Sequence, residues 1–307
     1  MVARAIALLF ILMSLALAPG TGQAYVREVT TSGVPVAWHY PCVTMEVYLG
    51  APPPVLSAPA LFAASQQAAA VWSYPSLACT DMRLTLVEID KATADVGHDG
   101  RNVIVFRRDT WCRQPSPVNS AGLPEPDCYS PSVLALTSYF KNTDTGEILD
   151  ADIEFNAVNY SWGDLKTQPA SNTVDFQNAL THELGHVIGL DHNCYEAPPR
   201  LLDGTGEPEV DCYSNPPPPL SVSEATMYPS VELTDTQRRT LTPDDEQGAC
   251  AITPHLHEVC PPWPSDSGCN ILVGRTSIDD HTWMGLACDS LALLAAILTF
   301  RRVRRKI

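Results

Sequence analysis

Basic residues are scarce in this chain of 307 residues: 19 Lys and Arg stand against 35 Asp and Glu, a formal net charge of −16. Five of the nineteen occupy the last seven positions, which leaves the rest more acidic still. That balance argues against nucleic acid as a partner and suits solubility outside the cell. None of the ten cysteines belongs to a Cys-x-x-Cys pair, so they read as disulfides of an oxidising compartment rather than as metal ligands. Long apolar runs are missing too. Ala5 to Ala18 and Trp283 to Phe300 are both short for a membrane helix, and Asp289 interrupts the second. Charged residues make up 18% and hydrophobic residues 45%, which argues against disorder and lets residues 25–254 bury one good core.

The two ends read as addresses rather than as fold. Arg4, the apolar run behind it and the small-residue site Gly22-Gln23-Ala24 make Met1 to Ala24 a secretory signal peptide, with the mature chain starting near Tyr25. Residues 255–282 hold Pro261, Pro262, Pro264, Cys260 and Cys269 and read as a linker with a local staple, in which His255 and His257 are exposed. Residues 283–307 combine Cys288, a marginal apolar stretch and the basic cluster from Arg301 to Lys306. A cysteine, an apolar stretch and an arginine cluster resemble the sorting tails of bacterial exported proteins cut by membrane proteases of the myxosortase or rhombosortase kind. The resemblance implies that Cys288 is the processing or lipid-bearing residue and that attachment to the membrane is transient. The alternative is an ordinary C-terminal anchor with a basic cytoplasmic stop.

The chemistry concentrates between Thr173 and His192, TVDFQNALTHELGHVIGLDH. Thr173 is the expected helix cap, Asp175 suits the positive end of the helix dipole, and Phe176, Leu180, Leu184 and Val187 recur at helical spacing. At about 100° per residue, His182 and His186 share another face, one turn and roughly 6 Å apart, close enough to bind one tetrahedral ion. Were the helix to continue, His192 would lie roughly 9 Å beyond His186 and some 120° away around the axis, out of reach of that ion. The helix must therefore stop between them, and Gly189 is the residue that can adopt a left-handed cap and return His192 to the site. Glu183 follows the first ligand directly and is placed to act as a general base toward water on the metal.

His182-Glu183-x-x-His186-x-x-Gly189-x-x-His192, followed by Ala225-Thr226-Met227-Tyr228-Pro229, resembles the metzincin zinc-protease signature with its Met-turn in the matrixin form. The resemblance implies one catalytic zinc on His182, His186 and His192, Glu183 as the proton carrier, and Met227 as an apolar floor beneath the metal. It also implies that Tyr228 and Pro229 line the pocket for the residue after the scissile bond. One departure is the 34 residues between His192 and Met227, which carry Cys194, Cys212 and the run Pro216 to Pro219. They read as an inserted loop beside the cleft, stapled by those two cysteines. Cys42 lacks the Pro-Arg-Cys-Gly context of the matrixin latency switch.

The flanking segments complete an α+β expectation. Val43 to Leu49, Leu84 to Ile89, Arg101 to Arg107, Val133 to Phe140 and Ile148 to Asn156 read as strands, and a helix capped by Ser57 runs to Trp72. Thr242 and Pro243 open a last helix. The matrixin resemblance, which spans Tyr25 to Pro254, implies a twisted mixed sheet with an antiparallel edge strand, a long active-site helix, the Met-turn and a C-terminal helix. Cys42 and Cys79 flank the first helix and could tie it to the first strand, and Cys112 and Cys128 are expected to pair. Asp150, Asp152 and Glu154 alternate with Ala151, Ile153 and Phe155. Matrixins place calcium or a structural zinc nearby, but the glycine-rich loops of such sites are lacking, so the acids read as a solvated strand face and calcium stays a secondary expectation. The expected function is a monomeric, exported zinc endopeptidase that cuts proteins or peptides. The rival is a surface-anchored binding module with a structural zinc.

Overall fold

Val43, Met45 and Val47 alternate with Thr44, Glu46 and Tyr48, and this period of two makes Cys42–Tyr48 a strand (β1) that buries one face. Helix α1 (Ala58–Val71) crosses back to β2 (Arg83–Ile89) and is followed by β3 (Asn102–Arg107), β4 (Ala135–Lys141), β5 (Ile148–Asn156), α2 (Phe176–Val187) and α3 (Pro243–Ile252). The sheet is mixed. Its order is β2-β1-β3-β5-β4, with β2, β1, β3 and β5 parallel and β4 antiparallel along β5 at one edge. The computed structural model describes residues 24–50, 52–89, 96–113, 127–253 and 260, and the backbone of the strands Cys269–Gly274 and Trp283–Cys288. The chain divides into two units between Glu258 and Val259.

A helix of 12 residues such as α2 is marginal on its own in water, so packing must hold it. Phe176, Leu180, Leu184 and Val187 are fully buried, and Phe176 meets Phe155 and Phe106 with ring centres 5.1 and 5.5 Å apart. At roughly 1.5–3 kcal/mol for each large apolar side chain, that stripe outweighs helix propensity. Trp72, which ends α1, is also fully buried, and its indole N–H donates to the Thr181 carbonyl at 2.8 Å, pinning α1 to α2.

Three expectations are corrected. Thr173 does not cap α2. Thr173–Asp175 is a short strand parallel to Ser161–Gly163, and Asp175 is the cap, accepting from Asn178 N at 2.9 Å. Both residues are cap types, and strand pairing decides between them. Cys79 bonds Cys250 in α3, not Cys42, which is itself in a disulfide. The end of α3 docks beside Cys79, where Thr80 and Thr253 hydroxyls meet at 2.7 Å, a contact that no local spacing reveals. The expected bonds Cys112–Cys128 and Cys194–Cys212 are present.

The acids of β5 are the third correction: Asp150, Asp152 and Glu154 are fully buried, not solvated. The chain before β3 and the start of that strand donate backbone N–H groups to them, from Asp99 and Gly100 to Asp150 and from Gly97 and Val103 to Asp152. Arg107 and Tyr129 donate to Glu154.

Beyond Val259, Cys269–Gly274 and Trp283–Cys288 pair as antiparallel strands, so the segment read as a short membrane span opens in extended form. No helix among the described residues is long and apolar enough to cross a membrane. Residues 1–23 with the expected signal peptide, the Cys269 staple, and residues 289–307 with the basic cluster lie outside the described residues.

Burial pushes the Asp152 carboxyl up to about 7, against the two N–H groups that favour its ionised form. A carboxyl raised above its unfolded value of about 3.9 stabilises the fold below that value and loses this contribution as pH climbs to the folded value. The stability difference between the wild type and Asp152→Asn should therefore fall as pH rises from about 4 to about 7. Denaturant melts across that range check it, and a pH-independent difference would contradict it.

Candidate metal centre

Asp175 fixes the start of α2 twice over. Its carboxylate caps the helix and accepts from Leu165 N, and it pairs with the guanidinium of Arg239, which also reaches Asp164 and Gln177. Arg239 and Asp175 are both buried, and stripping one partner from such a pair typically costs about 3–5 kcal/mol. The neighbouring Arg238 donates its backbone N–H to Asn178 Oδ1 at 2.7 Å and its side chain to the Tyr228 carbonyl at 3.0 Å. One short segment thus holds both α2 and the turn at residues 225–229.

The other end of α2 stops at Gly189, whose φ is +105°. A Cβ there would stand 2.5 Å from the Val36 carbonyl oxygen, so glycine is required by conformation and by space. Leu190–Asp191 then pairs antiparallel with Val26–Arg27, and Glu28 N donates to the Gly189 carbonyl at 3.0 Å. The N-terminal segment therefore braces the chain that returns His192. That segment is anchored in turn by Asp244 of α3, which accepts from Ala24 N and Tyr25 N at 2.6 and 2.9 Å.

These constraints bring the three predicted histidines together. His182 Nε2 lies 3.3 Å from His192 Nε2 and 3.2 Å from His186 Nε2. The opposite nitrogens are all engaged: His182 Nδ1 with the Thr226 carbonyl at 2.7 Å, His186 Nδ1 with the Leu190 carbonyl at 2.8 Å, and His192 Nδ1 with Glu196 Oε2 at 2.8 Å. A carbonyl can only accept, so in His182 and His186 the proton sits on Nδ1 and the Nε2 lone pair points to the shared centre. Burial and the neighbouring imidazoles hold His182 well below the ordinary histidine range and His186 near 4, which keeps both rings neutral, the form that binds metal. Tetrahedral bonds of about 2.0–2.1 Å to imidazole imply a nitrogen spacing of roughly 3.3 Å, so the group fits a metal ion. Among the described residues it is the one group of His, Cys, Asp or Glu able to hold one. The β5 acids form no second group, although Asp150 Oδ1 is buried without a hydrogen-bond partner.

Glu183, the predicted base, is buried, and burial pushes its carboxyl up to about 7. Thr137 of β4 opposes that shift by donating to Glu183 Oε2 at 2.6 Å. This contact also ties the edge strand to the helix. Met227 is fully buried against Gly185, where a Cβ would come within 2.2 Å of its sulfur. Its backbone is set by Asp245, whose carboxylate accepts from Thr226 N, Met227 N and Thr242 N. Tyr228 is half-buried and lines an open cavity of about 500 Å³ with Ser230, Glu232, Asp235 and Arg238. Pro229 is half-buried beside it.

Sequence reasoning missed Thr137, Glu196, Arg239 and the Asp245 carboxylate. Asp245 alone left a local trace, as an acid in the first turn of a capped helix. The inserted loop is closed by Cys194–Cys212 as expected.

Replacing Gly189 by alanine adds a left-handed strain of about 1–2 kcal/mol to the clash with Val36. Gly189→Ala should lose at least about 2 kcal/mol of stability in denaturant unfolding, and unchanged stability would contradict the account of the helix stop. No protein-family model matches this chain and no curated protein matches it, so the chemistry of the site follows from its own residues.

Proposed function

We propose that this chain is a zinc-dependent endopeptidase of the metzincin type, with a matrixin-like catalytic region in residues 25–254. The observation that carries the reading is the convergence of three imidazoles with one buried glutamate next in sequence to the first of them. Three histidines with no fourth protein ligand among the described residues suit a catalytic ion with an open position, whereas structural sites are closed by four. Zinc supplies Lewis-acid chemistry there, polarising a peptide carbonyl and making water acidic.

The chain's own residues do the rest. Glu183 takes a proton from the attacking water and returns it to the leaving amine, so that one water adds across the peptide bond and two chain ends result. Its position near neutrality suits both halves of that exchange. Strand β4 pairs only with β5 among the described residues, and Thr137 holds it against α2. An extended substrate can add to that free edge by main-chain hydrogen bonds, which recognises peptides with little regard to sequence. The cavity beside Tyr228 receives a substrate side chain, and Met227, packed on Gly185, would give a bound metal an apolar floor.

Eight described cysteines are in disulfides, which fits an oxidising, extracellular setting. Export through the signal peptide and temporary retention through the tail at Cys288 complete the proposal. The rival, a binding module with structural zinc, has no use for a buried carboxylate next to the first ligand.

A peptide-library cleavage assay on the purified mature protein tests the reading. Cleavage should stop with a chelator and return with zinc. Glu183→Ala should keep its metal while losing about 10²–10⁴-fold in turnover. Equal turnover in the two proteins would favour the binding module.

A further inference from the structure

The three histidines are not held alike. His182 and His186 lie on α2 and bond backbone carbonyls, whereas His192 lies beyond the helix stop and its Nδ1 bonds a side chain, Glu196 Oε2, at 2.8 Å. Glu196 is itself held: the Tyr213 hydroxyl donates to its other oxygen, Oε1, at 2.8 Å. Both residues belong to the inserted loop, Glu196 two positions after Cys194 and Tyr213 one position after Cys212, so the disulfide between these cysteines joins the two ends of the relay.

The loop is built to keep that arrangement. Tyr195 N donates to the Val210 carbonyl at 2.7 Å, and Cys212 N to the Tyr195 carbonyl at 3.1 Å, on either side of Glu196 and Tyr213. Asp211 Oδ1 accepts from Tyr213 N at 2.8 Å, and the Tyr228 hydroxyl donates to the Cys212 carbonyl at 3.2 Å. The far end of the loop docks on the N-terminal strand, where Gly204 N donates to the Tyr25 carbonyl at 2.9 Å.

We propose that the Cys194–Cys212 loop is a clamp for the third metal ligand: Glu196 is a positioning residue that fixes the His192 tautomer and ring, Tyr213 fixes Glu196, and the disulfide sets the distance between them. The proposal rests on the metal-centre reading and deepens it. A carboxylate on the far nitrogen of a ligating imidazole presents the near lone pair to the ion and makes it a stronger donor, and losing such a partner typically costs about 10- to 100-fold in metal affinity. Here it acts on the ligand that no helix fixes.

The test is Zn²⁺ affinity, measured on the purified mature protein by competition with a chromogenic chelator, with the melting temperature of the metal-free protein read alongside. Glu196→Ala should bind Zn²⁺ about 10- to 100-fold more weakly, and Glu196→Gln, which keeps an acceptor but loses the charge, should fall between it and the wild type. Tyr213→Phe should weaken binding by a smaller factor. Both side chains are partly or largely exposed, so the metal-free melting temperatures should stay near the wild-type value. The double variant Cys194→Ser/Cys212→Ser should weaken binding as Glu196→Ala does, and adding Glu196→Ala to it should cause little further loss. Wild-type affinity in Glu196→Ala would overturn the clamp, and full affinity in the cysteine variant would overturn the role of the staple. Failure of the wild type itself to bind Zn²⁺ would instead overturn the metal-centre reading.

Discussion

Three imidazole nitrogens stand within 3.3 Å of their neighbours, each with its opposite nitrogen already committed to an oxygen. Facing lone pairs at that distance repel, and the usual relief, placing a proton between two of them, is closed wherever the proton is needed at Nδ1. A bound cation would relieve it. The surrounding fold serves to impose this crowding: Asp175 and Arg239 fix where α2 begins, Gly189 fixes where it stops, and the N-terminal strand carries the chain back toward it.

The second layer is made largely of carboxylates. Asp175 caps the helix, Asp245 sets the backbone that presents the Thr226 carbonyl to His182, Asp244 anchors the N-terminal brace, and Glu196 holds His192. Each accepts hydrogen bonds from groups distant in sequence, and each thereby converts a flexible junction into a fixed one. The strong negative charge of the chain is in part this internal scaffold. Glu183 differs from them in its contacts, since its carboxylate has a single side-chain donor, Thr137.

Much of this was legible in the sequence, for identifiable reasons. The five sheet strands and three main helices follow from local alternation, caps and apolar stripes, and the ligand set follows from the arithmetic of a helix that must break at Gly189. What was not legible depends on contacts between distant segments. Cys79 meets Cys250 across 171 residues, a partnership that spacing along the chain cannot announce. Thr173 and Asp175 are both sound caps, and only the pairing of Thr173–Asp175 with Ser161–Gly163 shows that the helix starts later. The acids of β5 alternate as a solvated face should, and become buried because the chain at residues 97–103 turns its backbone N–H groups onto them. Glu196 and Thr137 carry no motif at all, since their roles arise from where the loop and the edge strand happen to fold.

The central claim is an ion on three histidines with one position left open. X-ray absorption at the zinc edge of the purified, metal-replete protein tests it most directly. The account predicts three imidazole nitrogens at about 2.0–2.1 Å and one further light-atom ligand from solvent, with His192→Ala removing the bound metal. Sulfur in the shell, a fourth protein ligand, or undiminished zinc in His192→Ala would contradict it.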